Sequence, residues 1–396
     1  MSEAVRPFRL FVIAGEASGD VLAASFIAAL RRRLAPREVA IMGVGGAALQ
    51  ELGLVPRFPQ ADIQLMGVVA VIKSLPRLLA HIADTASAVI DARPDLLLTV
   101  DVPDFSLRVA RKVRRADPSI PIMHWVAPTV WAWRPGRAKA MVPHVDRLLA
   151  LLPFEPAAFA RLEGPPTRYI GHPLLDIASD LRPGPDERRI RDNAAAPVIL
   201  FLPGSRRSEI QHLLPVFRET ARLIAARYPH AHLVLPAVQH LAERISKDVA
   251  AWETPVEVVI GEAAKRAAFR RARAALAASG TVTLELALAG VPTVGAYRGH
   301  PIEAFIARRL VKIDTVLLCN LVLGRSIVPE YMQEEATPAA LAAAVMRLLP
   351  NDLPRTEQIM AFEELDRIMA LPEGRRSAEL AVDEALELVA LGRFPS

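Results

Sequence analysis

The chain has 396 residues, of which 52% are hydrophobic and 23% charged, with a formal charge of +5 and one cysteine, Cys319. That length exceeds what one core organises and, at ~100–200 residues per domain, suggests two or three domains, of which two is the expectation; the composition excludes intrinsic disorder, a disulfide framework and a cysteine-rich metal site. The pI of about 9.6 favours anionic partners, but aromatics at 5% and the absence of a dense Lys/Arg tract argue against nucleic acid.

The N-terminus runs through Arg6-Pro7-Phe8-Arg9 into a short strand, without the basic region and apolar core of a signal peptide. No apolar run reaches the ~18–20 residues that span a bilayer, so the expectation is a cytosolic chain that can still touch a membrane from outside.

The first strand, 10–14, runs into Gly15-Glu16-Ala17-Ser18-Gly19-Asp20 and a helical pattern over 21–34. Two glycines allow close backbone approach, and a carboxylate and a hydroxyl stand where a helix opens. Ser18 or Asp20 can simply cap that helix, but a cap needs neither Glu16 nor two glycines. The second strand, 39–43, leads into Gly43-Val44-Gly45-Gly46-Ala47-Ala48, which imitates the G-x-G-x-x-A dinucleotide fingerprint with Asp62 downstream. An NAD(P)-dependent oxidoreductase using Gly43 to Ala48 is therefore a competing reading.

Residues 65–81 are too apolar for a solvated surface and too short for a bilayer span. The segment is either a buried core helix or a membrane-docking surface. In the second case Lys73 and Arg77, one turn apart, face anionic headgroups while Val69, Ile72 and Leu75 enter the acyl boundary. The strand 96–101 begins after Asp95 and ends in Asp101-Val102-Pro103-Asp104. Carboxylates at the C-terminal edge of a parallel sheet are placed to act on a substrate, and Asp104 also suits a helix N-cap. After a helix over 105–115 and a strand over 120–126, the block 124–134 gathers Trp125, Trp131 and Trp133 beside Arg134. It reads as a sugar-stacking wall, an acyl groove or a packed core loop. Strands over 147–152 and 168–171 complete a parallel βαβ unit.

Breaks at Gly171-His172-Pro173 and at 181–185 mark a linker, after which the pattern restarts. Strands are expected over 198–202, 232–235, 256–260, 274–278 and 293–296, with helices over 208–228, 238–251, 263–273 and 281–288. At the first of these turns, Gly204 permits close approach, Ser205 and the helix N-terminus offer donors, and Arg206 can pair bidentately with a diphosphate. Ser279-Gly280-Thr281 repeats the helix-terminus pattern. Glu285, a turn further on, stands where a carboxylate can hold the vicinal hydroxyls of a ribose. Asn320 lies in an apolar run, either satisfied by backbone or touching substrate. After Pro338 the chain reads as amphipathic helices over 339–349, 356–369 and 376–391.

Together these segments resemble the lipid-A-disaccharide synthase family. The matching signatures are AGEASGD at 14–20, MGVGG at 42–46, DVPDF at 101–105, VAPTVWAWR at 126–134, IGHPL at 170–174, LPGSR followed by Glu209, SGTVTLE at 279–285, and NL, GR and VPE within 320–330. The resemblance implies an α/β fold of GT-B architecture, two doubly wound Rossmann-like domains with a cleft between them. Residues 1–172 would form an acceptor- and membrane-facing domain and 173–350 a UDP-sugar domain. The helices of 351–396 would return to the first domain or reach a partner subunit, as in a homodimer.

The implied reaction joins UDP-2,3-diacylglucosamine to 2,3-diacylglucosamine 1-phosphate, giving a β-1,6 disaccharide and UDP with inversion. It needs no metal or cofactor, and it would take place at the anionic cytoplasmic face of the inner membrane. Carried over residue by residue, the essential positions are Glu16, Ser18, Asp95, Asp104, Arg206, Glu285 and Asn320. Asp104 is the expected base and Asp101 the second choice. Glu16 completes the catalytic group and, with Ser18, orients acceptor or transferred sugar. Arg206 and Ser279-Gly280-Thr281 would take the diphosphate, and Glu285 the ribose. Cys319, Ala127 and Ser106 replace the family's usual Pro, Ser and Asn, which leaves the acceptor pocket's shape open. A UDP-GlcNAc 2-epimerase, another GT-B enzyme, and a non-enzymatic lipid carrier are the remaining alternatives.

Overall fold

The computed structural model describes residues 6–63, 68–193, 195–299 and 315–392, and of 68–74, 373 and 392 the backbone alone. Its contacts divide the chain into two compact units: unit 1 is Met1–Pro173 with Leu371–Ser396, and unit 2 is Leu174–Ala370.

Unit 1 holds β1 (Phe8–Ala14), β2 (Val39–Val44), β3 (Leu96–Val100), β4 (Ile122–Trp125), β5 (Arg147–Ala150) and β6 (Thr167–Tyr169). They form one parallel sheet in the order β2-β1-β3-β4-β5-β6. Unit 2 holds β7 (Val198–Leu202), β8 (His232–Ala237), β9 (Glu257–Ile260), β10 (Ala272–Ala278), β11 (Thr293–Tyr297) and β12 (Glu330–Met332). Its parallel order is β12-β11-β10-β7-β8-β9. The double βαβ winding expected from the alternation of patterns is present in both units. The three-residue edge strand β12 carries no pattern long enough to be seen in the sequence.

Both sheets are sandwiched by helices, so their strands read as continuous apolar runs rather than alternating ones. Every residue of β3, Leu-Leu-Leu-Thr-Val, is buried. Strand β10 is almost all alanine, which has a poor strand propensity, yet it too is buried throughout. Tertiary context overrides propensity here, because a central strand between β7 and β11 can keep small side chains where helices close on both faces. The helix Arg207–Arg227 turns Ile210, Leu213, Leu214, Phe217, Ala221 and Ile224 into the unit 2 core, an apolar stripe at helical spacing.

In unit 1 the chain leaves β1 toward β2 on one side and returns to β3 on the other; in unit 2, β8 and β10 flank β7 in the same way. Each reversal opens a crevice beyond the C-terminal strand ends, where ligands bind in folds of this kind.

Residues 351–396, expected to travel together, part company at Ala370. The helix Leu353–Met369 packs on Thr281–Leu288 and Leu318–Leu323 in unit 2, burying Phe362, Leu365 and Met369. The helix Ser377–Gly392 packs on Ala17–Leu34 of unit 1, with Ala381, Val382, Ala385, Leu388 and Val389 in its core. Among the described residues no helix is long and apolar enough to cross a membrane.

Candidate active site

At the mouth of unit 1, Glu16 is the N-cap of the helix Ala17–Leu34, and both Glu16 and Ser18 are exposed. Gln60, from a short connector, donates its Nε2–H to the carbonyls of Ala14 at 3.0 Å and Glu16 at 3.1 Å, pinning the turn from outside. Nothing in the local sequence singles out Gln60.

Facing this turn across the crevice is Asp101-Val102-Pro103-Asp104, after β3. Asp101 has φ +56° and Val102 φ +46°, a left-handed pair that a β-branched residue adopts only under strain. The Val102 side chain lies so close over Gly15 that any Cβ there would overlap it, which is why the first turn requires glycine. The Asp101 carboxylate accepts the Val102 N–H at 2.8 Å, and burial pushes its pKa above the usual carboxylate range, with that hydrogen bond pulling the other way. Asp104 stands in the first turn of the helix Pro103–Ala116, its side chain 69% exposed, paired with Arg137 Nη2 at 2.5 Å.

The aromatic block divides. Trp125 is core, edge-on to Phe26. Trp133 is exposed at the rim with the Arg134 guanidinium 4.0 Å above its ring. Trp131 lies half-buried edge-on to Phe154, and its indole N–H reaches the Glu155 carboxylate at 3.3 Å. Glu155 itself is buried and also accepts the N–H groups of Leu151 and Leu152; burial raises its pKa to about 7 despite these three donors. His124, fully buried, is kept neutral by burial, its pKa lowered to about 3, with Nδ1 on Thr99 Oγ1 at 2.7 Å.

In unit 2 the turns after β7 and β10 line one cavity of about 420 Å³, joined by residues that follow β8 and β9. Gly204, Ser205, Arg206 and Glu209 form one side, and Ser279, Gly280, Thr281 and Glu285 another. Three ion pairs stand in it among the described residues: Arg206 Nη1 to Glu209 Oε1 at 2.8 Å, and Lys265 Nζ to Glu285 Oε1 at 2.8 Å and to Glu262 Oε2 at 2.9 Å. Glu209 Oε2 also takes the N–H groups of Ser205 and Arg206, which braces the turn leading into this helix. In the helix Thr281–Leu288, Thr283 N–H and Oγ1 turn back onto the Gly280 carbonyl, and the amides of Thr281 and Val282 meet no acceptor among the described residues. Both termini therefore keep backbone donors for an anion, since the amides of Arg207 and Ser208 in the helix after β7 likewise meet no acceptor among the described residues.

The model of the family described as lipid-A-disaccharide synthetase matches residues 10–383. The chain belongs to the lipid-A-disaccharide synthase family. The curated lipid-A-disaccharide synthase of Nitrobacter hamburgensis is 50% identical over 387 residues, covering 98% of this chain and 97% of that one. Among solved structures, UDP-GlcNAc 2-epimerase from Neisseria meningitidis bound to UDP-GlcNAc superposes with TM-score 0.61 at 12% identity, covering 96% and 100% of the two chains. The calicheamicin glycosyltransferase CalG4 does so with TM-score 0.60 at 18% identity, covering 98% and 99%. At those identities the likeness is one of fold, GT-B. Family membership makes the chain a glycosyltransferase of lipid A biosynthesis and sets the epimerase reading aside.

Three expectations are corrected by the geometry. Asp95 precedes β3 and so lies at the end of the sheet opposite the mouth, where it binds the Arg6 guanidinium at 2.6 Å and the Arg9 N–H at 2.9 Å. Asn320 is buried and fully used: Oδ1 accepts from Ile327 and Val328, and Nδ2 donates to the Val328 carbonyl and Thr315 Oγ1. It clamps the loop that leads to β12 and has no capacity left for a substrate. The fingerprint at Gly43 to Ala48 is closed to a dinucleotide, because the Asp20 carboxylate holds the N–H groups of Gly46 at 2.6 Å and Ala48 at 2.8 Å where a pyrophosphate would sit. Lys265, conversely, lines the unit 2 cavity without having been expected there.

Proposed function

We propose that the chain transfers the sugar of UDP-2,3-diacylglucosamine to 2,3-diacylglucosamine 1-phosphate. The observation that carries this reading is the unit 2 cavity, where open helix amides, two cations and a buried carboxylate line a space of about 420 Å³, within the range of small-ligand sites.

In the reaction, a carboxylate takes the proton of the acceptor's 6-hydroxyl as that oxygen attacks the anomeric carbon. The bond from that carbon to the diphosphate breaks with inversion, and its electron pair leaves with UDP. Asp104, exposed at the mouth of unit 1 and oriented by Arg137, is the proposed base. Asp101 is the second candidate, since burial has moved its proton affinity toward the working range of a base. Glu16 and Ser18 orient the acceptor or transferred sugar. The Gly280 to Val282 amides and Arg206, released from Glu209, take the charge of the departing diphosphate, so no metal is needed. Glu285 holds the ribose.

Both proposed substrates carry acyl chains, which supports docking at an anionic membrane surface, with Leu75 and Leu79, 40% and 47% exposed, as contact residues. The remaining residues expected at that surface, Val69, Ile72 and Lys73, lie outside the described side chains, and Arg77 is engaged by Asp62 at 2.6 Å. Incubating the purified protein with both lipids should release UDP and form the disaccharide only when both are present. UDP release without the acceptor, or an epimerised nucleotide sugar, would overturn the proposal.

A further inference from the structure

We infer that Lys265 is a positioning residue of the nucleotide cavity: it fixes one oxygen of Glu285 so that the other is presented to the ribose hydroxyls of the donor. This rests on the UDP-sugar reading above. Glu285 sits on the helix after β10, and Lys265 on the helix Glu262–Arg271 after β9, so the pair ties two separate strand-to-helix turns together.

The Glu285 side chain is only 9% exposed. A carboxylate that deep is unfavourable unless a cation meets it, and the pairing also selects one rotamer out of several. Lys265 takes Oε1, Oε2 has no protein partner among the described residues, and Glu285 lines the cavity. Two vicinal hydroxyls are donors that need such an acceptor held still.

Lys265 is itself held from several sides. Its ammonium pairs with Glu262 at 2.9 Å as well as Glu285, and lies 5.9 Å from the Phe269 ring centroid. Burial opposes its charge, but the Glu285 and Glu262 carboxylates together outweigh that and keep the pKa above the ordinary lysine value. With two carboxylates bound, it is poorly disposed to move to a phosphate. Arg206, 63% exposed and paired with Glu209 alone among the described residues, is the more exposed cation of the cavity. The two cations thus divide the donor, Arg206 toward the diphosphate and Lys265, through Glu285, toward the ribose.

The test is calorimetric titration of the full chain, its Lys265→Met and its Lys265→Arg variants, with UDP and with 2′,3′-dideoxy-UDP. The wild type should prefer UDP by about tenfold, the worth of one hydrogen bond to a charged group. Lys265→Met should lose that preference by weakening UDP alone, binding the dideoxy nucleotide as the wild type does, and Lys265→Arg should restore most of it. In turnover, the donor KM should rise more than kcat falls. A Lys265→Met variant that weakens both nucleotides by the same factor contacts phosphate instead, and one that keeps the preference leaves Glu285 independent of Lys265; either result overturns the inference. Melting temperatures check that the variants fold, and Lys265→Gln repeats the comparison should the Met variant not do so. A wild type that binds no UDP at all would sink the donor reading itself, and this inference with it.

Discussion

The Asp20 carboxylate and the Gly46 amide meet at 2.6 Å inside unit 1, with Asp20 only 3% exposed and its second oxygen on the Ala48 N–H. One carboxylate from the first turn thereby fills the helix terminus of the second, so a motif that imitates a dinucleotide site is an internal brace. Replacing Asp20 with Ala would leave one buried and one part-buried amide without an acceptor, and should destabilise unit 1 by about 2–3 kcal/mol. Urea denaturation followed by tryptophan fluorescence measures this. The wild type should show no NADH binding; saturable binding would contradict the occupied terminus.

Asp104→Asn should lower turnover by about 10²–10⁴-fold while UDP affinity changes little, because a missing base removes proton acceptance and no nucleotide contact. Asp101→Asn should act mainly on the strained turn beside Gly15. If Asp101→Asn proves the crippled variant and Asp104→Asn turns over normally, the roles exchange. The pH profile separates them further, since a base with the raised pKa of Asp101 would shift the acidic limb toward neutrality.

Asn320→Ala removes the acceptor of two backbone amides and the donor to the Val328 carbonyl, bonds that are buried at Val328 and part-buried at Ile327. The expected result is a loss of about 3 kcal/mol or more in stability, with UDP affinity of the folded protein unchanged. Weakened UDP binding at full folding would return Asn320 to the substrate.

How much was legible follows from what the chain pattern encodes. Alternating strand and helix signals place loop residues such as Glu16, Arg206 and Thr281 at the C-terminal ends of parallel strands, and all three are there. The same pattern puts Asp95 before β3 and Asp101 after it, at the mouth, so the place of Asp95 among the essential positions came from the resemblance and not from the pattern. Long-range partners are hidden for a different reason. Gln60 reaches back to Ala14 across 46 positions, and Lys265 finds Glu285 from a neighbouring helix where it reads as ordinary surface charge. The polar capacity of Asn320 was visible, but whether backbone or ligand satisfies it depends on how the 320–328 loop closes.

Glu155 makes stability depend on pH. Its folded pKa, raised to about 7 by burial, exceeds the ordinary value of 4.5, so its stabilising contribution is complete below 4.5 and is lost as pH rises through 7. The ionised form should leave the folded state a few kcal/mol worse off relative to the unfolded chain. Melting temperature should therefore fall between pH 5 and 8, and Glu155→Gln, which keeps an acceptor without a charge, should flatten that fall. An equal slope in both proteins would assign the dependence elsewhere.

The long helix Val68–Ala92 turns Leu78, Ile82, Ala86 and Val89 into the unit 1 core. Leu75 continues that apolar stripe at helical spacing, yet it is 40% exposed, and Leu79 beside it is 47% exposed. The stripe thus outruns the core that it serves. Arg77, between them, is spoken for by Asp62, with His81 Nε2 3.3 Å from the same carboxylate, so headgroup attraction must come from other cations and the apolar contact carries more of the weight. Burying two leucines at an acyl boundary is worth about 3–6 kcal/mol at most, enough for reversible docking and too little for permanent insertion. Leu75→Ser with Leu79→Ser should therefore abolish sedimentation with anionic liposomes while the melting temperature changes by only a few degrees. The doubly substituted protein should still turn over detergent-dispersed substrates. Undiminished sedimentation would remove this helix from the docking surface, and a collapse of the fold would return both leucines to the core.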